Sequence, residues 1–477
     1  MIKSIAILPL RLLVAEDAGD YLGLGVSDAL ITRLSNLKQV VVRPTSAVLK
    51  YADRDQDPGA VGRELKVDAV LEGSIQKAGQ RVRATVQLVS VKDEAPLWAD
   101  RFDEEYTDIF TVEDSISEQV ARALTDKLSG RERKRLTRHY TENSEAYHLY
   151  VKGRYHWVKR TIAGTKKSIE YFQQAIEIDP IYSIALSGLA DCYAQLGWLR
   201  NISPGEAFPK AKAAAAKAIE LDDELAEAYT SRAWIRLLYD WDWEGSERDF
   251  KRSIELNPNY AVAALWHTVY LIATSRFDEA VKEINRALNI DPLSLIINTI
   301  SGWPFYFSRR HDEAIAMYRK ALEIEHSYFT AHFLLGNAYE QKGELDKALE
   351  SLQKARQLDQ TAMTLAGLGR AYGRLGSRKK AMEVLDELDA LSQTQYVSPY
   401  DIAEVYLCMG ENDRAIEWLE RACDDRSSWL ILLGVEPRFD PLRSDPRFKD
   451  ILARIGLAAD GSGHPRLKTN KSDRTRT

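Results

Sequence analysis

From about residue 144 onward the sequence repeats every 34 residues, and that period restricts the fold to a stack of like units. Pro258 and Pro292 close the matching segments SIELNP and ALNIDP, and His326 in ALEIEH and Gln360 in ARQLDQ follow at the same step. Upstream, Pro180 closes AIEIDP and Asp223 closes AIELDD, with a longer unit between them. Small residues keep the register. Twelve positions before the six closing residues stand Ser168, Ala211, Ser246, Ala280, Ala314 and Ala348, and five before them stand Ala175, Ala218, Ser253, Ala287, Ala321 and Ala355. Gly369, Tyr372, Gly376 and Ala381 recur one period later as Ala403, Tyr406, Gly410 and Ala415, which makes about eight units. Apolar residues fall at i, i+3, i+4 and i+7, so each unit is a pair of amphipathic helices that must stack to cover its apolar face.

The segment AHFLLGNAYEQKGELDKALESLQKA (331–355) resembles the tetratricopeptide-repeat (TPR) family, with Gly336 small, Tyr339 aromatic, Gly343 at the turn, and Ala348 and Ala355 on the second helix. The resemblance implies an all-α TPR superhelix, an α-solenoid, over residues 144–424, whose first helices line a concave groove for a protein or peptide. Counting from Ala233, Thr268, Gly302 and Gly336, the residues just after them (Trp234, Val269, Trp303, Asn337) and three before them (Thr230, Leu265, Thr299, Phe333) turn inward. Tyr306 and Phe307 join them one turn on. These residues form the expected partner-binding groove, suited to an extended or helical peptide with apolar anchors. The competing expectation is that they pack neighbouring hairpins, as Trp241 and Trp243 in YDWDWEG are read to do. Residues 425–457 contain three prolines before a final amphipathic helix and read as a C-terminal cap that solvates the end of the array. The polar, basic tail 458–477 reads as disordered.

Residues 1–128 have a different texture. An apolar strand over Ile2–Leu10 leads to a helix from about Asp20 to Leu37, the strand QVVVRP and a helix entered at Asp57-Pro58. Two strands of period 2, AVLEGSIQKAG and QRVRATVQLVSV, meet at a tight turn at Ala78-Gly79. A strand through LWADRFDEE and the helix FTVEDSISEQVARALTDKL complete a small mixed α/β domain. The words SIAILPL, YLGLGVSDALITRLSNL, VVVRPTSAV, GRELKVDAVLEGSI and LWADRFDEEYTDIF resemble the TolB-amino-terminal-like domain that precedes TPR arrays in bacterial signalling proteins. Such relatives commonly place the pair behind a winged-helix DNA-binding domain, a nucleotide cyclase or a protein kinase. Here the sequence starts directly at the domain, and the expectation is that the output module is absent. The charged stretch 129–143 marks a linker, a boundary that few contacts should cross.

No catalytic or metal-binding motif is legible in the sequence. Gly23-Leu24-Gly25 opens a helix, but Asp28 stands where a dinucleotide loop needs its third glycine, so these glycines read as helix N-terminal structure. No phosphate loop, zinc helix, nucleophile elbow or kinase set occurs. His139, His148 and His156 are spaced by nine and eight and do not share one helix face, and Asp103, Glu104 and Glu105 read as exposed charges. Cys192, Cys408 and Cys423 have neither zinc-like spacing nor an even count. The expectation is no catalytic, cofactor-binding or metal-binding residue. A net charge of −6 provides no global field for nucleic acid, and the run Arg131, Arg133, Lys134, Arg135, Arg138 is diluted by Glu132 and Glu142. No apolar run is long enough to span a membrane and no signal peptide is legible, so the encoded product reads as cytoplasmic. Membrane-tethered relatives imply an extracytoplasmic alternative. The function expected is a non-catalytic scaffold of a bacterial regulatory system. Its alternative is a small-effector sensor working with a separate output module.

Overall fold

The computed structural model describes residues 2–13, 21–37, 39–52, 57–78, 81–105, 109–124, 130, 132, 136, 138–159, 161–459 and 465–467, and every absence stated below refers to these. The N-terminal sheet has the order β3-β1-β4-β5-β6, with β2 (Arg11–Leu12) beside β4. β1 (Ser4–Ile7) runs parallel to β3 (Val41–Val42) and β4 (Ala69–Ala78), whereas β5 (Arg81–Ser90) pairs antiparallel with β4 and with β6 (Pro96–Glu105). The alternation expected of β5 makes the sheet one-sided: Val82, Ala84, Val86 and Leu88 enter the core while Arg81, Arg83 and Thr85 face outward. Helices α1 (Tyr21–Leu34), α2 (Thr45–Val48), α3 (Pro58–Leu65) and α4 (Ile109–Leu124) complete the domain. α3 starts where the sequence says it should, because the Asp57 carboxylate accepts from the N–H groups of Gly59 (3.1 Å) and Ala60 (3.0 Å) and Pro58 has no N–H to leave unpaired. The turn expected at Gly79 lies outside the described residues.

The array follows as helix pairs, from Ser144–Val158 with Ile162–Ile178 to Pro399–Cys408 with Asn412–Asp424, eight hairpins among the described residues. Second helices show the pattern that drives stacking. In Phe277–Ile290, Ala280, Ile284 and Ala287 are buried, and Asp278 and Glu279 complement the positive end of the helix. The hairpin corners at Gly343, Gly376 and Gly410 need left-handed backbone (φ 80°, 72° and 79°). Arg200 and Arg309 also adopt positive φ at such corners (58° and 66°), and Arg426 does so just after the eighth hairpin (56°), a conformation that disfavours a side chain by about 1–2 kcal/mol.

Those three arginines close the superhelix. Arg200, after the first helix of the second hairpin, pairs with Asp401 of the eighth, and its guanidinium lies 4.6 Å from the Trp429 ring centroid. Arg426 donates to the Tyr239 carbonyl (2.5 Å), and Arg309 donates to the Val435 carbonyl (2.9 Å) and pairs with Asp440 (2.8 Å). Inside the resulting ring run the two 3-10 turns Ser428–Leu432 and Pro437–Leu442. The segment expected to solvate the end of the array is instead buried within it: Leu430, Ile431, Leu432, Leu433 and Phe439 are fully enclosed. The physical reason lies in WLILLGV, whose consecutive apolar residues leave no polar face for water. The final helix Pro446–Arg454 ends at the WDW turn, where Trp243 Nε1 donates to the Ile455 carbonyl (2.7 Å).

The two parts share one core. A single hydrophobic cluster runs from Ile5 and Leu71 in the sheet through Val120 and Val151 to Leu225 and Ala228. The α/β domain also docks on the loops between hairpins. Arg43 Nη1 donates to the carbonyls of Asn289 (2.5 Å) and Ile290 (2.9 Å), Ser46 bonds Asp291 (2.7 Å), and Asn259 Nδ2 reaches the carbonyls of Ser35, Leu37 and Val40 at 2.9–3.1 Å. The expected boundary of few contacts is therefore replaced by an extensive interface. The reason is that the closing positions of successive units present Asn257 and Asp291 one period apart on the same side, a ladder of polar groups for one surface to grip. No helix is long and apolar enough to cross a membrane.

Candidate functional site

The residues expected to line an open groove are enclosed. All ten, Thr230, Trp234, Leu265, Val269, Thr299, Trp303, Tyr306, Phe307, Phe333 and Asn337, are at most 4% exposed. Trp234 stacks on Trp266 with centroids 4.4 Å apart, and Trp198 meets Trp234 edge-on at 5.0 Å. The occupant of the channel is Trp429, stacked on Trp198 at 5.3 Å and edge-on to Trp303 at 5.7 Å. Tyr306 donates its hydroxyl hydrogen to Glu436 (2.8 Å). Thr230 bonds Ser253 (2.7 Å), Thr299 bonds its own helix at Leu295, and Asn337 accepts from Arg370 (2.5 Å), whose guanidinium lies over Phe333. Leu265, Val269 and Phe307 are plain core. The groove expected to be open thus holds the chain's own residues 427–442. The same segment supplies both the apolar anchor and the charge a peptide ligand would bring.

A buried ionic network fixes that occupant. Arg438 pairs with Glu436 (2.8 Å) and Glu404 (3.0 Å), and Arg370 pairs with Glu404 (2.8 Å) and approaches Glu340 (3.6 Å). Burial pushes the Glu404 carboxyl up; at Glu436 burial acts the same way, but Arg438 outweighs it and holds the carboxyl low. Sequence periodicity missed this network because Arg370, Glu404 and Arg438 look like ordinary surface charges of helices and turns. A cavity of about 10 Å³ adjoins it, room for about one water. Trp303 Nε1, Tyr318 Oη and Arg438 Nη1, on three of its lining residues, have no hydrogen-bond partner among the described residues.

A second cleft, of about 40 Å³, lies at the seam between α1, α4 and the first hairpins. Its glycine is a packing device: a Cβ on Gly25 would stand 2.1 Å from Val151, and one on Gly23 would strike the Leu10 carbonyl oxygen at 1.9 Å. These contacts explain the Gly-Leu-Gly pair that resembled half of a dinucleotide loop. Asp28 accepts from Arg154 (2.9 and 3.1 Å) and from Thr45. Arg33 pairs with Glu113 (3.1 Å) and Asp114, and Tyr147 donates to Glu113. Burial pushes the Glu113 carboxyl up to about 7, against the opposing pull of Arg33 and Tyr147.

The other sequence candidates separate in space. His139 bonds Asp114 (2.7 Å) and stacks on Phe110, while His156 stacks on Tyr171. Asp103 binds Arg81 and Arg83 on the open face of the sheet. Of the charged run, Arg138 pairs with Asp222 (2.8 Å), and Arg131, Arg133, Lys134 and Arg135 lie outside the described residues. No group of His, Cys, Asp and Glu side chains that could hold a metal ion is found among the described residues.

Residues 2–119 match the protein-family model described as HilA/YgeH-like transcriptional regulator, second domain. The N-terminal domain is HilA/YgeH-like. Residues 308–343 match a TPR-repeat model and residues 329–361 a tetratricopeptide-repeat model. A Rhizobium meliloti (strain 1021) protein named as an adenylate cyclase is 30% identical over 193 residues, covering 40% of this chain and 32% of that protein. Transcriptional regulator HilA of Salmonella typhimurium (strain LT2) is 24% identical over 169 residues, 35% of this chain and 30% of that protein. The chain thus spans about a third of the length of these curated relatives. The crystal structure of PilW, a type IV pilus biogenesis factor, superposes with a TM-score of 0.35 and 19% identity over 43% of this chain and 95% of that one.

Proposed function

We propose that the protein is a non-catalytic interaction scaffold of a bacterial regulatory system, in which the HilA/YgeH-like domain and the TPR ring act as one body. The observation that supports this reading is the continuous core joining sheet and hairpins, reinforced by Arg43, Ser46 and Asn259 on the inter-hairpin loops. A body so joined passes a force or an altered contact at one part to the other, as a regulatory platform requires. The resemblance to the TolB-amino-terminal-like domain and the similarity to a regulator and a cyclase-named protein suggest the same setting, with output chemistry carried by another module.

The protein or peptide partner engages the outer helices, whose charged faces are exposed, because the channel is occupied. Releasing residues 427–442 would uncover about eight apolar side chains worth roughly 1.5–3 kcal/mol each. A micromolar peptide supplies only about 8 kcal/mol. The test is affinity capture on the full chain followed by cross-link mapping. Cross-links on outward helices such as Leu345–Leu358 or Arg378–Ser392 support the reading. A complex in which 427–442 becomes protease-sensitive restores the channel as the partner groove, and nucleotide turnover that survives purification removes the scaffold reading. The second reading, effector sensing, is favoured by the seam cleft.

A further inference from the structure

We infer that the loops closing the fifth and sixth hairpins dock a turn of a partner protein that carries an arginine and, three residues further on, a serine or threonine. This rests on the scaffold reading and names where the partner sits and what it presents. Six inter-hairpin loops place an acid or its amide at one register position: Asp179, Asp222, Asn257, Asp291, Glu325 and Asp359. The first four already hold residues from before the first hairpin. Thr141 donates to Asp179 (2.5 Å), Arg138 pairs with Asp222 (2.8 Å), Asn257 Nδ2 donates to Ser35 (3.1 Å), and Ser46 donates to Asp291 (2.7 Å). At the fourth loop Arg43 completes the grip through the Asn289 and Ile290 carbonyls. Carbonyls in the last turn of a helix lack an intrahelical N–H, and a guanidinium fork satisfies them.

The fifth and sixth loops repeat that acceptor set in the open. Helices His311–Ile324 and Leu345–Leu358 end in the register of Phe277–Ile290. Glu323, Ile324 and Glu325, then Gln357, Leu358 and Asp359, therefore take the places of Asn289, Ile290 and Asp291. Among the described residues, the Glu325 carboxylate accepts from its own loop, at the Ser327 N–H (2.9 Å) and hydroxyl (2.5 Å), and Asp359 accepts from Thr361. Exposure changes at the same point. Leu256 and Ile290 are 2% and 4% exposed, whereas Ile324 and Leu358, at equivalent positions, are 39% and 37% exposed. The docking edge used by the α/β domain thus continues for two further loops, each with an apolar side chain beside helix-end carbonyls and a carboxylate. A turn like Arg43–Ser46 matches it, with the guanidinium on the carbonyls and the hydroxyl on the carboxylate.

The probe is a fluorescein-labelled peptide of residues 40–48, VVVRPTSAV, titrated into the full chain and read by anisotropy. A photoreactive copy maps its contacts by mass spectrometry. The expected result is saturable binding with a roughly millimolar Kd and cross-links at 323–328 and 357–361. Alanine in place of the peptide's arginine or serine weakens binding about tenfold, the loss of a hydrogen bond to or from a charged group. In the chain, Glu325→Gln with Asp359→Asn has the same effect. Ile324→Ser with Leu358→Ser, which spares the loop hydrogen bonds, replaces that pair should circular dichroism show it unfolded. No saturable binding up to about 10 mM overturns the inference, as do cross-links confined to other surfaces or an affinity unchanged by the alanine peptides or by a folded variant. Tenfold tighter binding to a chain lacking residues 468–477 identifies the chain's own tail as the occupant, and a dimer that the peptide dissociates identifies a second copy; either result overturns it. Capture of a partner on the outward helices alongside failed peptide binding overturns this inference and leaves the scaffold reading standing. Nucleotide turnover that survives purification strikes the scaffold reading without touching the peptide result.

Discussion

Arg438 sits between Glu436 and Glu404 in the interior of the ring, and its removal leaves buried Glu436 with no cation beside it and Glu404 with Arg370 alone. Arg438→Met should therefore lower stability by about 3–5 kcal/mol in urea unfolding of the full chain, the cost of breaking a buried pair from one side. Adding Glu404→Gln and Glu436→Gln should recover part of that loss, which simple cavity formation would not allow. Glu113 behaves differently. Arg33, Tyr147, Asp114 and Asp28 face it, and burial sets its native pKa near 7, above the ordinary 4.5. Between those values the native state holds a proton that the unfolded chain has released, so this group's contribution to stability is present below pH 4.5 and is lost as pH rises through 7. Thermal midpoints measured from pH 4.5 to 8 should show that decline in the parent chain, and Glu113→Gln should flatten it.

At the scale of the element, the segment 427–442 is the last piece of the array's core rather than a lid on its end. A chain ending at residue 424 leaves Trp198, Trp303 and the Tyr306 hydroxyl facing an empty channel. Such a chain should aggregate or lose helicity, and a peptide of residues 425–457 added in trans should restore the circular dichroism signal. A soluble, fully helical truncation would show that the ring stands open without its occupant. The single change Trp429→Ala, which leaves the segment in place, should cost about 3–5 kcal/mol, the range for truncating a large buried aromatic. Three arginines adopt positive φ around this segment. Their strained backbone persists because Arg200, Arg309 and Arg426 bind the far side of the ring or the segment itself.

For the whole molecule, the continuous core predicts that the array is not a free-standing module. In a fragment spanning 141–457, Val151 and Tyr147 lose their partners in α1 and α4, and Asn259 loses three carbonyl acceptors. Hydrogen exchange on that fragment should show lost protection in the first four hairpins and native protection in the sixth to eighth, whose contacts lie within the ring. Uniform protection equal to that of the full chain would mean that the seam contributes nothing to the array.

The sequence by itself determined the helical hairpins, because the 34-residue period places Ala280, Ala287 and their equivalents at every close approach. It determined the one-sided sheet through the alternation in β5, and the start of α3 through Asp57-Pro58. It named Trp234, Trp303 and Phe333 as candidates for the inner face, and all three are buried. Only the tertiary structure decided what they face. Periodicity describes how a unit meets its neighbour and carries no term for the curvature that brings the second hairpin onto the eighth. Nor does it show that Arg370 and Glu404 would pair inside the ring, since a charge reads as solvated until its partner is placed beside it. The apolar run WLILL was visible as a segment needing burial. Its location in the channel depended on the closure of the superhelix, a sum of small rotations over eight units that no local pattern encodes.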